Sequence, residues 1–267
     1  MKKYEFTGET KKVGIHGDII VRRIIATVEF GLVNIGDLGG WIEKEANLSQ
    51  EGSAWVYDDA KVYDNAKVYG DASVHGDAEI CGDAKIFGDA EIFGGAEICG
   101  NAKVYNNAEV YGDASVHGDA SVHGDARVCG DAEIFGGASV CGNARVHGDA
   151  KICGYSKVYG DAKVYGDAKV YGYASVCGIA SVCGYAKVSQ ENHLLVIGPI
   201  GSRNGFTTFF RDKDNEITVR CGCFLGKADR FLEKVQETHG DNKYALAYRA
   251  AVEVSKIHIN LKCVDIP

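Results

Sequence analysis

The sequence predicts a mainly-β protein whose middle half is a parallel β-helix, and three observations carry that reading. Every sixth residue from Val56 to Val188 is Val or Ile, at 23 positions without exception. Two residues before each stands Ala, from Ala54 to Ala186, with Ser156 as the single departure. Two residues after each comes a slot held mostly by Gly and then one held mostly by Asp, Asn or Gly, as in GDAKVYGDAKVYG (160–172).

Residues two apart on a strand face the same way. Ala and Val/Ile therefore face inward, and the residue between them, which is Lys, Arg, Glu, Ser or Trp55, faces water. Gly and Asp/Asn accept the positive φ that a tight corner needs. A helix is excluded, because Gly at every sixth position would cost about 1 kcal/mol each time. An aliphatic column that never fails argues against a disordered repeat.

This unit resembles that of the hexapeptide-repeat proteins. The resemblance implies a left-handed parallel β-helix in which three units make one triangular coil of 18 residues, so that 23 units give nearly eight coils. Residues 18 apart then stack on neighbouring coils. The expected layout is an N-terminal β cap (1–52), the β-helix (53–190) and a C-terminal α+β module (191–267).

A cap is required, because the first open coil would expose unpaired strand edges. Ile19–Val21, Ile24–Ala26 and Val28–Phe30 read as its strands, and GDLGGWIEKEANLSQEG (36–52) as an irregular first coil. In the C-terminal module, HLLVIG, FTTFFRD and EITVRCGCF read as strands. Ala228, Phe231, Leu232 and Val235 have helical spacing closed by Gly240. Asp241 and Asn242 can cap a second helix with Tyr244, Ala247, Tyr248, Ala251 and Ser255 on one face.

GDLGGWIE and NLSQEG at the front, and IGPIGSRN, CGCF and HGDNKY at the back, extend the likeness over the full chain, to hexapeptide-repeat proteins of gut bacteria and their phages. Proteins of that group are labelled polymer-forming or transferase on grounds of fold.

Composition narrows the function. A net charge of −8 argues against nucleic-acid binding. No apolar run reaches the length of a membrane-spanning helix, and MKKYEFTGET lacks the apolar core of a signal peptide. The expectation is a cytoplasmic protein, in the host cell if phage-encoded, whose ten cysteines are free thiols.

Many hexapeptide-repeat proteins transfer acyl groups to sugars or amines with a His base in a cleft shaped by loops between coils. The bases available in the repeat would be His75, His117, His123 and His147, which share a slot with Tyr, Phe and Cys. No insertion breaks the 23 units, so no such loop encloses a substrate. The expectation is therefore a non-catalytic scaffold that binds a host partner or a small anionic, nucleotide-like ligand, for instance by sequestering a defence signal. An acyltransferase and a structural spacer are the alternatives. No metal or cofactor is expected: Cys81, Cys99 and His117 share a column, but no fourth ligand is evident.

The most site-like stretch is 198–205, where Gly201, Ser202, Arg203 and Asn204 can cradle an anion with backbone N–H groups, a hydroxyl and a guanidinium. Arg211, Arg220, His239 and Lys243 can add positive charge. The columns Tyr69, Phe87, Tyr105 and Tyr155, Tyr173 are the expected interface of a homo-oligomer, a trimer by the resemblance. Tyr155, Tyr173, Ile179 and Tyr185 replace corner Asp, and the C-terminal module is the expected cover for them.

Overall fold

The computed structural model describes residues 2–14 and 16–261. It is a mainly-β parallel solenoid of about eight turns with an N-terminal β cap and a C-terminal helical module. The chain divides into two compact units, Met1–Asn143 and Ala144–Pro267.

In the first unit, β1 (Tyr4–Val13) and β2 (Ile19–Ala26) form an antiparallel hairpin, and β2 continues antiparallel to β3 (Leu38–Ile42). β3 turns the sheet over to the solenoid by pairing in parallel with Lys61–Val62. From there each short strand pairs in parallel with the one 18 residues on, Trp55 with Ser73 and Lys103 with Ser121. The side chains alternate as the repeat requires: Ala120 and Val122 are fully buried while Lys103 and Arg127 are exposed. Burial of each Val or Ile contributes on the order of 1.5–3 kcal/mol before chain entropy is subtracted.

The corner residue with positive φ is the glycine-slot residue. Where that slot holds Asp58, Asp64 or Asn106, these take φ of 52°, 56° and 60° themselves. Residues of this kind tolerate the left-handed region because a short polar side chain can bond locally.

Two expectations for this unit need correction. Val28–Phe30 is not a strand; Phe30 makes an isolated bridge to Val33 around a turn, and the missing cap strand is β1. Cys81 and Cys99 are not free thiols but a disulfide, because in-register stacking brings their Cα atoms to 4.7 Å, within the range a disulfide spans.

In the second unit the solenoid strands from Arg145 to Val188 follow the same rule, Lys163 pairing with Ser181 and Lys169 with Lys187. Ser156, in the inward Ala column, is fully buried and donates its hydroxyl to the Cys153 carbonyl at 2.8 Å. The module is a four-stranded antiparallel sheet, Leu194–Ile200, Gly205–Arg211, Ile217–Cys221 and Phe224–Lys227, followed by α1 (Ala228–His239) and α2 (Lys243–His258). Asn242 caps α2 by accepting from the N–H groups of Tyr244 and Ala245. Phe209, Val219, Phe231, Val235, Tyr248 and Val252 form the core between sheet and helices.

The expected cover over the apolar corners is incomplete. Tyr155 and Tyr173 stack on each other but stay 64% and 77% exposed. The last turns do meet the module, where Lys213 lies over the Tyr185 ring at 4.1 Å. Among the described residues no helix is long and apolar enough to cross a membrane.

Candidate active site

The two faces of the C-terminal sheet are set by strand alternation. Thr207 is paired with Cys221, and Thr208 with Arg220. Thr207 and Cys221 face the helices, while Thr208 and Arg220 face the last solenoid turns. Each face borders a cavity, and the two cavities share Phe206 and Gly222.

The larger cavity, of about 490 Å³, opens between the sheet end and the helices. Phe224, Phe231 and Val235 give it an apolar wall. Ser202, Arg203, Cys221, Lys234, His239 and Tyr248 bring polar groups to it. The Thr207 hydroxyl donates to Cys221 Sγ at 3.2 Å, and Cys221 Sγ lies 3.8 Å from Tyr248 Oη. The His239 ring lies 5.9 Å from that of Tyr248. Burial, then the neighbouring Cys221 sulfur, push the Tyr248 hydroxyl up to about 12 against the pull of Arg203. It is therefore a standing O–H donor at neutral pH.

The smaller cavity, of about 300 Å³, is lined by Lys163, Ser181, Thr208 and Arg220 among others. The Thr208 hydroxyl oxygen accepts from the Ser181 N–H at 3.1 Å, which leaves its own proton free for a ligand. No carboxylate pairs with Arg203 or Arg220 among the described residues. Lys234, by contrast, is paired with Glu237 at 2.9 Å.

Of the stretch 198–205, half is strand rather than loop: Ile200 pairs with Gly205, leaving Gly201–Asn204 as the turn. Ser202 and Arg203 line the larger cavity. Gly201 does not; it is buried against Tyr248, whose hydroxyl would lie 1.9 Å from a Cβ at that position. The Asn204 N–H is turned inward onto the Gly201 carbonyl at 3.3 Å. Of the charges expected nearby, His239 and Arg220 border cavities, Arg211 is buried and bonded to Asn215 and His193, and Lys243 lies over Tyr244. Thr207, Phe206 and the Tyr248 hydroxyl carried no sequence signal as site residues, since they lie far apart along the chain and outside any motif.

The repeat histidines are packing groups. His75, His123 and His147 stack flat on Tyr57, Tyr105 and Tyr165, and burial lowers all three below the ordinary imidazole range. His117 stacks likewise on Phe135. Tyr69, Phe87 and Tyr105 form one continuous ring stack at 4.8–5.0 Å and are half-buried by it.

No protein-family profile matches the chain. A stretch of 63 residues is 38% identical to the "Uncharacterized acetyltransferase YdcK" of Escherichia coli (strain K12), covering 22% of this chain and 19% of that relative. The chain thus matches about a fifth of the curated relative's length. This likeness overturns the expectation of a non-catalytic binding scaffold and the preference for a non-enzyme over an enzyme. The larger cavity lies in the module beyond the last coil, where uninterrupted repeats say nothing about enclosure.

Proposed function

We propose that this protein is an acyltransferase of the hexapeptide-repeat type, moving an acyl group from a thioester donor to an amine or hydroxyl acceptor. The observation that carries the reading is the likeness to an acetyltransferase in a chain with this solenoid fold. The larger cavity supports it with the groups such a reaction uses. Phe224, Phe231 and Val235 suit the apolar arm of a carrier thioester. Arg203 there, and Arg220 with Lys163 across Phe206 and Gly222, suit its anionic groups. His239 is the base that takes the acceptor's proton as its nitrogen or oxygen attacks. Self-association belongs to the same reading: the exposed pair Tyr155 and Tyr173 is the surface we assign to it.

The test is thiol release from acetyl-coenzyme A in the presence of panels of amines and hydroxylated sugars. Release that depends on an acceptor and falls at least a hundredfold in His239→Ala is the expected result. Background hydrolysis with every acceptor would overturn the reading.

A further inference from the structure

We propose that the smaller cavity binds a phosphate monoester, held between Lys163 and Arg220 over the Thr208 hydroxyl. The inference rests on the acyl-transfer reading for the source of that phosphate, the carrier or the acceptor, but not for its binding.

The cavity wall carries one continuous row of side chains. Lys163 pairs in parallel register with Ser181. The Ser181 N–H donates to Thr208 Oγ1 at 3.1 Å, and Thr208 stands directly opposite Arg220 in the antiparallel sheet. Thr208, in the middle of the row, is 2% exposed. Its oxygen is spent on Ser181, and its proton has no acceptor among the described residues. A buried donor left unmade is costly, and an anionic oxygen in the cavity removes that cost. The Ser181 hydroxyl does not compete for the place, since it donates to Tyr165 Oη at 3.4 Å.

The ends of the row are cationic and lack counter-charge. Neither Lys163 nor Arg220 is ion-paired among the described residues, and Asp161 on the same wall has an interaction of its own. Lys163 also stands directly opposite Arg145. Like charges so placed repel, and a bound anion offsets the repulsion. Arg220 reaches over the solenoid side: it favours ionisation of the Tyr165 hydroxyl and the Cys183 thiol, although burial outweighs it at both. A phosphate monoester suits this arrangement better than a carboxylate. Its oxygens diverge toward donors on different strands, and its second negative charge meets the second cation. The cavity, of about 300 Å³, has room for it, with Ile179 and Phe206 as apolar contacts for the group that carries it.

The experiment uses the full chain with inorganic phosphate as the probe and chloride at equal ionic strength as the reference, read by phosphorus NMR line broadening and melting temperature. Phosphate should bind the parent, and bind about tenfold more weakly to Arg220→Gln and to Lys163→Gln, the loss of one charge-assisted hydrogen bond. Thr208→Ser, which keeps the hydroxyl, should bind as the parent does. So should Arg249→Gln, whose arginine is paired with Asp241. Coenzyme A and its dephosphorylated form, which lacks the ribose phosphate, then identify the source. A preference of about tenfold for the first, abolished by Arg220→Gln, assigns the phosphate to the carrier. Equal binding of the two, with inorganic phosphate still held, assigns it to the acceptor. A response no larger than that to chloride, or equal weakening in Arg249→Gln, overturns the site whatever thiol release shows. Phosphate held by the parent without thiol release to any acceptor overturns the acyltransferase reading and leaves the site intact.

Discussion

The ammonium of Lys3 donates to the carbonyl oxygen of Ala54 at 2.8 Å, 51 positions along the chain. The contact follows from the polarity of the solenoid. At corners and strand ends, N–H groups donate to carbonyls of the following coil, as Trp55 N does to Ala72 O and Tyr57 N to Val74 O. The corresponding carbonyls of the first coil have no coil before them. Lys3 serves Ala54 and, at 3.5 Å, Gly52; the Tyr4 hydroxyl serves Leu48 at 2.8 Å. Within the second unit the need is reversed, and acceptors close the last coil. Thr208 Oγ1 takes the Ser181 N–H and His193 Nδ1 takes that of Ser189. Unmade, such buried bonds cost about 1–3 kcal/mol each.

Lys3 gives stability a pH slope. Burial lowers it to about 8 even with Asp71 nearby, against ~10.4 in an unfolded chain. Between these values the unfolded state binds a proton that the folded state does not, so stability rises with pH across that window. Thermal melts through the window should show this rise in the parent and not in Lys3→Met. Parallel curves would mean that Lys3 is not the group responsible.

Equivalent corner glycines should differ in their tolerance of alanine. Gly124 has φ +76°, and a Cβ there would meet the Gly142 nitrogen at 2.9 Å. Gly178 has φ +62° and no atom within 4 Å of that point. Gly178→Ala bears the left-handed backbone penalty, ~1–2 kcal/mol. Gly124→Ala bears that and a clash with laddered backbone that cannot move aside. Its melting temperature should fall at least twice as far, and Gly178→Asn should be close to neutral. Equal losses at both glycines would refute the close-approach argument.

The Cys81–Cys99 bond ties residues 18 apart in sequence. A loop of that length, restrained in the unfolded chain, is worth ~3 kcal/mol. Reductant should therefore lower the parent's melting temperature and leave Cys81→Ser/Cys99→Ser unchanged. A parent indifferent to reductant would show that the two thiols are unpaired in solution.

The solenoid was legible because its sequence period is its structural period. Ala120, Val122 and Ser139 could each be placed inward or outward by counting, and Cys81 could be set beside Cys99, though not their oxidation. β1 was not legible, since GETKK in its middle has no apolar alternation; its ends, Tyr4 and Val13, are the residues it buries. The cavity was less legible still. Cys221 meets Thr207 and Tyr248, 14 and 27 residues away, through hairpin register and the docking of α2. Neither leaves a spacing to count. Arg203 and Ser202 were found from loop chemistry, but Gly201 fits there because of Tyr248, which no local pattern reveals.

The module should lose stability in acid through Asp212. This carboxylate is 5% exposed. It accepts from Lys227 Nζ at 2.5 Å, from the Thr218 hydroxyl at 2.6 Å, and from the N–H groups of Asp214 and Glu216 at 3.0 and 3.1 Å. Burial raises its pKa, but Lys227, Thr218 and the two N–H groups outweigh burial and hold it below the usual carboxylate range. A depressed carboxylate stabilises the fold above its unfolded value of ~3.9, and the contribution is lost as pH falls through the lower folded value. The Lys227 side chain is 40% exposed, so the pair is partly screened. Its worth should fall between exposed and buried pairs, about 2 kcal/mol. Asp212→Asn should therefore melt below the parent at neutral pH, and the gap should close as pH falls below ~4. A gap that stays constant into acid would show that Asp212 acts through shape and neutral hydrogen bonds rather than through its charge.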